Sequence, residues 1–151
     1  ALTSAILLQE HPGTAIVTDS ITSSGLKAFI EGKGGIHHRF KRGYKNVINE
    51  AVRLNREGTD CQVAIETSGH GALKENYFLD DGAYLIAKIL IQMARLKKEG
   101  KTIDGLIADL QEPLEAKELR MKILAEDFQD YGGRLIEALG EYAKGQPGWQ
   151  I

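Results

Sequence analysis

The sequence has few of the features that would place it in a specialised class of protein. It contains one cysteine, three prolines and one tryptophan, and its formal net charge is only −2. The lone cysteine, Cys61, excludes an internal disulfide and fits a reducing compartment, which predicts a cytoplasmic location. The small net charge gives no overall field that would attract nucleic acid. Apolar runs stop well short of the roughly 20 residues that cross a bilayer, so no membrane partner is predicted.

What is present suits an ordinary globular protein. The chain has 151 residues, of which 42% are hydrophobic and 26% charged. This length fits one domain, or one domain and part of a second. Because the chain starts without Met and stops as a new apolar stretch begins, we expect an excised piece of a longer protein.

Short apolar strands alternate with amphipathic helices through the first two thirds of the chain. Strands are predicted at 14–18, 36–40, 61–66 and 75–79, and helices at 23–31, 44–57 and 80–98. The fourth strand follows a tight loop, so it is predicted to run antiparallel to the third. The order favours an α/β fold, a three-layer sandwich around a mostly parallel four-stranded sheet with one antiparallel edge strand. The last helix has a narrow polar stripe, so most of its circumference is expected to be buried.

The pattern changes after Gly100. A short helix is predicted from Thr102 to Pro113, then an alternating, half-exposed strand at 117–123 and an amphipathic helix at 125–143. We therefore predict one α/β domain at 1–100. Residues 101–151 are predicted to form a linker and a partial α+β segment, the first strand and helix of a following domain.

Three polar segments follow the predicted parallel strands. They are 19–25 (DSITSSG), 41–45 (KRGYK) and 66–71 (ETSGHG). Ligands of open α/β sheets bind outside the carboxyl ends of the strands. If the strands are parallel, one edge of the sheet combines hydroxyls, cations, an acid and an imidazole.

The second segment is cationic. Arg39, Lys41, Arg42 and Lys45 lie within seven residues, and Gly43 allows the backbone to turn. The following helix directs its positive N-terminal end to the same place, a combination that suits a phosphate. A solvated basic loop is an equally open interpretation. Nucleic-acid binding is less favoured because the cluster is short.

The third segment suits a polyol. The carboxylate of Glu66 could accept from two vicinal hydroxyls, while Ser68 and His70 each donate or accept hydrogen bonds. Gly69 and Gly71 permit the backbone angles of a tight hairpin. An ordinary turn with incidental polar residues remains an open alternative.

An acidic pair, Asp80 and Asp81, precedes the last helix of the α/β pattern. Two neighbouring carboxylates would suit a magnesium ion. A helix N-cap explains them more simply, so no metal ligand is predicted.

The stretch ETSGHGALKENYFLDDGAYLIAKIL resembles the third domain of the α-D-phosphohexomutases, the phosphoglucomutase/phosphomannomutase family. That family has a sugar-recognition loop of the form G-E-x-S-G-H, followed by a short strand and an Asp-Gly before a helix. Here Ile65 replaces the leading glycine. The Gly-Tyr-Lys of 43–45 is similar to a second motif of the family. The resemblance covers about residues 1–98, and the predicted strand and helix that follow resemble the start of the fourth domain.

The resemblance implies a role in a four-domain mutase that interconverts hexose 1-phosphate and hexose 6-phosphate. The implied reaction passes through a hexose 1,6-bisphosphate and uses a phosphoserine of the first domain and Mg²⁺ held by a D-G-D-G-D loop of the second. Neither motif occurs in this sequence, nor does the phosphate loop of the fourth domain, so the chain alone is predicted to be inactive. The implied partners are a hexose phosphate and the other domains of the same polypeptide. A stand-alone module that binds a phosphorylated metabolite remains the alternative.

The resemblance also implies the residues that would contact the substrate. Glu66, Ser68 and His70 would bind sugar hydroxyls. Charged parts of the substrate would meet Lys45, Lys41, Arg42 and Lys74.

Overall fold

The structure is a computed structural model that describes residues 1–149. The chain divides into two compact units, the first at Ala1–Leu114 and the second from Glu115 onward. The elements of the first unit are α1 (Leu2–Glu10), β1 (Ala15–Asp19), α2 (Ser24–Gly32), β2 (Ile36–Phe40), α3 (Tyr44–Arg56), β3 (Cys61–Ile65), β4 (Gly71–Leu73), a 3-10 helix (Lys74–Asn76), α4 (Gly82–Lys98) and a second 3-10 helix (Ile103–Ile107). The second unit contains α5 (Phe128–Lys144).

The strands form one sheet in the order β2-β1-β3-β4. The central strand β1 pairs in parallel with both β2 and β3, and β4 pairs antiparallel with β3. This confirms the predicted α/β sheet with one antiparallel edge strand. Because β1, β2 and β3 point the same way, the segments that follow them emerge at one edge of the sheet.

Helices cover both faces of the sheet and produce two apolar clusters. On one face, Ile16 of β1 and Val63 of β3 pack against side chains of α1, α2 and α4. On the other face, Val17 and Ala64 pack against α3. Cys61 is fully buried in this second cluster, and burial raises the pKa of its thiol to about 11. The three layers are thus built on the alternating sides of the buried strands.

The segment after α4 returns to the first unit. Leu106 and Leu110 pack against the first apolar cluster, and Lys33 Nζ lies 3.2 Å from Asp109 Oδ2. Residues through Leu114 therefore belong to the first compact unit. The division into domains at 1–100 and 101–151 stays a prediction.

The fourth strand occupies Gly71–Leu73, so its predicted position at 75–79 is wrong. Tyr77 and Phe78 have φ angles of 55° and 56°, which lie in the left-handed region and are incompatible with an extended strand. The aromatic composition of this stretch is typical of strands and misled the prediction. Pairing begins as soon as the hairpin closes, because the first residue of β4 lies opposite the last residue of β3.

The burial predicted for α4 is wrong. Its side chains at Ile86, Leu90 and Ile91 are 53–60% exposed, while Leu85 and Leu96 are buried. The helix contacts the sheet along one narrow face only. α4 therefore has more apolar side chains than the rest of the first unit covers.

The strand predicted at 117–123 is also wrong, since residues 115–124 contain no regular secondary structure. Leu119 and Met121 are 73% and 79% exposed. A half-exposed strand needs a partner for its backbone groups, and the described chain supplies none to this segment. The helix that follows is confirmed as α5. None of the helices between residues 1 and 149 is long and apolar enough to cross a membrane.

Candidate functional site

Residues 66–70 form a tight hairpin between β3 and β4. The backbone N–H of Glu66 donates to the carbonyl of His70 at 2.9 Å, and the N–H of Gly69 donates to the carbonyl of Glu66 at 3.1 Å. Gly69 has a φ of 97°, which favours glycine at this position. The turn leaves the Glu66 side chain buried, while Ser68 and His70 are exposed.

The Glu66 carboxylate joins this hairpin to the segment that follows β2. Its Oε1 accepts a hydrogen bond from the backbone N–H of Gly43 at 2.6 Å, and its Oε2 accepts from Ser68 Oγ at 3.2 Å. Since β1 lies between β2 and β3, the two loops meet over the carboxyl end of β1. An ionised carboxylate has about four acceptor positions, so two remain for further donors.

The imidazole of His70 is held on two sides. Its ring stacks on Tyr44 with ring centroids 5.1 Å apart and an angle of 24° between the planes. Its Nδ1 lies 2.7 Å from Asp80 Oδ2, and the other oxygen of Asp80 accepts from the N–H of Gly71 at 3.1 Å. Nε2 makes no hydrogen bond among the described residues, and the side chain is 51% exposed.

The acidic pair separates into two roles. Asp81 is the N-cap of α4, because its Oδ1 accepts from the N–H of Tyr84 at 3.0 Å. This confirms the predicted cap. Asp80 instead contacts the hairpin, and no sequence pattern could assign this role to one aspartate rather than its neighbour.

Sequence reasoning also missed Asp19, the last residue of β1. Its side chain is 1% exposed, and Oδ2 accepts a hydrogen bond from Thr67 Oγ1 at 2.9 Å. Oδ1 is buried without a hydrogen-bond partner among residues 1–149. The segment 19–25 thus contributes a buried carboxylate beneath the hairpin. The signal that could have found it is an acid at the end of an otherwise apolar strand.

The cationic loop lies beside this group. Lys41, Arg42 and Lys45 are exposed, and no carboxylate of the described chain lies within salt-bridge distance of them. Gly43 has a φ of 117°, and a Cβ there would lie 2.9 Å from Asn46 Nδ2. This backbone conformation directs the Gly43 N–H to Glu66, so the glycine connects the cationic loop to the acid.

The structure does not bring Lys74 to this group. Lys74 Nζ lies 2.7 Å from Asp60 Oδ1, which is next to the amino end of β3. Burial raises the pKa of Asp60, but hydrogen bonds from Lys74 and Thr14 outweigh it and leave that pKa below its ordinary value. Glu66 follows the other end of β3.

Metal ligation has no support within the described chain. No group of three or more His, Cys, Asp or Glu side chains in residues 1–149 is arranged to hold a metal ion. The residues that the structure gathers are suited to hydrogen bonding and to binding an anion.

The fold and these loops define an α/β/α domain with a polar, partly cationic site at the carboxyl edge of its parallel strands. The family model of phosphoglucomutase/phosphomannomutase, alpha/beta/alpha domain III, matches residues 1–114. The chain belongs to this family through its domain III. A comparison with curated proteins gave no match.

Among solved structures, the chain is similar to a phosphoglucomutase/phosphomannomutase family protein from Burkholderia thailandensis. The TM-score is 0.58 and the sequence identity 28%, over 74% of this chain and 22% of that chain. The chain therefore spans less than a quarter of the length of that relative.

Proposed function

We propose that this chain binds the sugar hydroxyls and a phosphate of a hexose phosphate, within a mutase that interconverts hexose 1-phosphate and hexose 6-phosphate. One observation carries the proposal, the 2.6 Å hydrogen bond between Gly43 N and Glu66 Oε1. This bond holds a cationic loop and a hydroxyl-accepting carboxylate side by side. A phosphorylated sugar offers both matching groups, hydroxyl donors and a dianion, on one small molecule.

The hydroxyl contacts are assigned to the hairpin. Glu66 retains acceptor positions for two donors, and two vicinal hydroxyls of a sugar can supply them. Ser68 already donates to Glu66, so its oxygen lone pairs are left for a ligand hydroxyl. His70 presents Nε2, because Nδ1 is held by Asp80.

The phosphate contacts are assigned to the cationic loop. Lys41, Arg42 and Lys45 have no carboxylate partner in the described chain, and the N-terminal end of α3 adds a partial positive charge. Arginine matches a phosphate with two parallel hydrogen bonds, while lysine acts as a point charge.

Phosphoryl transfer is assigned to groups outside this chain. The proposed phosphoserine, the Mg²⁺ and the exchange through hexose 1,6-bisphosphate belong to the other domains of the polypeptide. The work of this chain is to hold the sugar in each of its two orientations while the phosphate is transferred. A cytoplasmic enzyme with a reduced, buried Cys61 fits this proposal.

The test is a titration of the chain with glucose 1-phosphate and with mannose 1-phosphate, followed by amide NMR signals. Glu66→Gln should weaken binding about 10- to 100-fold, since a hydrogen bond to a charged group contributes about 1.5–3 kcal/mol. The matched control is Glu31→Gln, an exposed acid on α2, which should leave binding unchanged. The unfolding midpoint of each variant checks that the fold is intact.

Two results would contradict the proposal. If Glu66→Gln binds either sugar phosphate within about twofold of the unaltered chain, the carboxylate does not hold the sugar hydroxyls. Mutase turnover by the chain alone would show that phosphoryl transfer does not need the other domains.

A further inference from the structure

Asp80 is fixed on the hairpin more firmly than a neighbouring surface acid would be. Its backbone forms an isolated antiparallel bridge with Ala72, and the N–H of Asp81 donates to the carbonyl of Gly71 at 3.1 Å. Its Oδ1 accepts from the N–H of Gly71 at 3.1 Å. With both the backbone and one carboxylate oxygen held, the direction of the second oxygen is determined.

That second oxygen, Oδ2, meets Nδ1 of His70 at 2.7 Å. An ionised carboxylate accepts hydrogen bonds and donates none, so the hydrogen in this contact belongs to Nδ1. In a neutral imidazole the other nitrogen, Nε2, then carries a lone pair. The stack on Tyr44 keeps the ring in the plane that this hydrogen bond requires.

We infer that Asp80 is a positioning residue, which holds His70 in the Nδ1-protonated form so that Nε2 accepts a hydrogen bond from a ligand hydroxyl. The identity of the ligand as a hexose phosphate rests on the proposed function above. Asp80 itself touches no ligand. It acts through the protonation state and orientation of the imidazole.

The acceptor character of Nε2 complements the rest of the site. Glu66 also accepts, so the hairpin presents two acceptors to the hydroxyls of a sugar. A histidine in the opposite tautomer would have an N–H at Nε2, which donates to a hydroxyl oxygen and does not accept the hydroxyl hydrogen. The acid at residue 80 therefore decides which kind of partner His70 can bind.

The decisive variant is Asp80→Asn, because the shape of the side chain is kept while its hydrogen-bonding sense changes. The N–H of Gly71 needs an acceptor, so the amide oxygen should face it and the amide NH₂ should face His70. Nδ1 must then accept, and the hydrogen must move to Nε2. The matched control is Asp81→Asn, which alters the adjacent acid at the α4 cap and makes no contact with His70.

The tautomer is read directly from the imidazole nitrogen signals of the ¹⁵N-labelled chain, at a pH where titration shows the ring to be neutral. His70→Gln identifies which of the four histidines is observed. We expect a protonated Nδ1 in the unaltered chain and in Asp81→Asn, and a protonated Nε2 in Asp80→Asn. A protonated Nε2 in the unaltered chain, or an unchanged tautomer in Asp80→Asn, overturns the inference.

Binding supplies the second measurement. Asp80→Asn should weaken glucose 1-phosphate binding about 5- to 10-fold, the range of one neutral hydrogen bond, and should leave inorganic phosphate binding unchanged. An equal loss of sugar-phosphate binding in Asp81→Asn would assign the effect to the helix end and would overturn the role of Asp80.

The tautomer result and the Glu66→Gln titration answer separate questions. A tautomer that fails to change in Asp80→Asn, in a chain whose sugar-phosphate binding still depends on Glu66, defeats this inference alone. Absence of sugar-phosphate binding in the unaltered chain defeats the proposed function instead.

Discussion

The buried carboxylate of Asp19 predicts that Thr67→Val destabilises the first unit far more than the loss of a threonine hydroxyl without a buried partner would. Asp19 is 1% exposed, and Thr67 Oγ1, at 2.9 Å, is the hydrogen-bond partner of its side chain among residues 1–149. Valine keeps the shape of threonine and removes the donor. A hydrogen bond to a charged group contributes about 1.5–3 kcal/mol. We therefore expect Thr67→Val to lower the free energy of unfolding by about 2–3 kcal/mol.

The assay is urea unfolding of the whole chain, followed by the amide signals of β1 so that only the first unit is reported. With a urea slope of about 2 kcal/mol per molar, the midpoint should fall by about 1–1.5 M. In an Asp19→Asn background the same change removes only a neutral hydrogen bond and should cost about 1 kcal/mol. Thr102→Val is the control, because both threonines are exposed but Thr102 makes no capping hydrogen bond.

Two outcomes would refute this reasoning. One is a midpoint for Thr67→Val no lower than that for Thr102→Val. The other is an equal loss of stability for Thr67→Val in the unaltered chain and in Asp19→Asn, which would show that the effect does not depend on the carboxylate.

Two further predictions concern the pH dependence of stability and the fit of the chain after α4. Burial, with the positive charges of Arg39 and Lys27 nearby, lowers the pKa of His37 to about 4. In the unfolded chain the same imidazole takes up its proton near pH 6.5. The free energy of unfolding should therefore be highest above pH 6.5 and should fall as the pH is lowered from 6.5 to 4. The lowered pKa could cost at most about 3.4 kcal/mol of unfolding free energy at low pH. Because the ring is half-exposed, urea unfolding should show a smaller loss of about 1–2 kcal/mol. This loss should be absent in His37→Gln. Gly25→Ala would place a Cβ 2.0 Å from the carbonyl oxygen of Gln111 and should lower stability by about 1–3 kcal/mol in thermal unfolding. Gly32→Ala, with nothing within 4 Å of its Cβ, should instead raise stability by about 0.5–1 kcal/mol, and destabilisation by both changes would contradict the steric argument.

Local rules predicted the elements whose causes are local. The apolar run at 14–18 predicted a strand, and all five residues of β1 are buried. The helix predicted at 23–31 begins with a serine, a residue type that favours helix N-caps, and Ser23 Oγ accepts from the N–H of Leu26 at 3.1 Å. The acid before α4 was predicted to cap it, and Asp81 does. For the two caps the partner lies three residues away, so the local pattern contains the whole interaction.

The errors arose where the partner is distant or missing. The alternation at 117–123 satisfies the pattern of a strand, but the described chain offers no second strand to pair with it. The aromatic pair Tyr77 and Phe78 satisfies the composition of a strand, yet the hairpin had already closed and β4 had ended at Leu73. The composition of a segment shows which secondary structure it can adopt. Whether it adopts a strand depends on a neighbouring strand in position to pair with it.

The site was predictable to the level of the sheet edge and no further. Parallel strands require the segments after β1, β2 and β3 to share one edge. Whether they touch depends on distances that no sequence pattern gives, such as the contact of Gly43 with Glu66 across the end of β1. The hydrogen bond of the buried Asp19 carboxylate depends in the same way on how the hairpin lies over it.

The direction of β4 limits what Lys74 can do. Because β4 runs antiparallel to β3, its last residue, Leu73, lies opposite Val63 in the middle of β3, and the Lys74 side chain extends on to Asp60, which precedes the amino end of β3. Glu66 follows the other end of β3, and the five residues of this strand span about 16 Å at about 3.3 Å per residue. A substrate role for Lys74 thus requires a ligand that extends along the whole strand. Lys41, Arg42 and Lys45 need no such reach, because their loop is bonded to Glu66 directly.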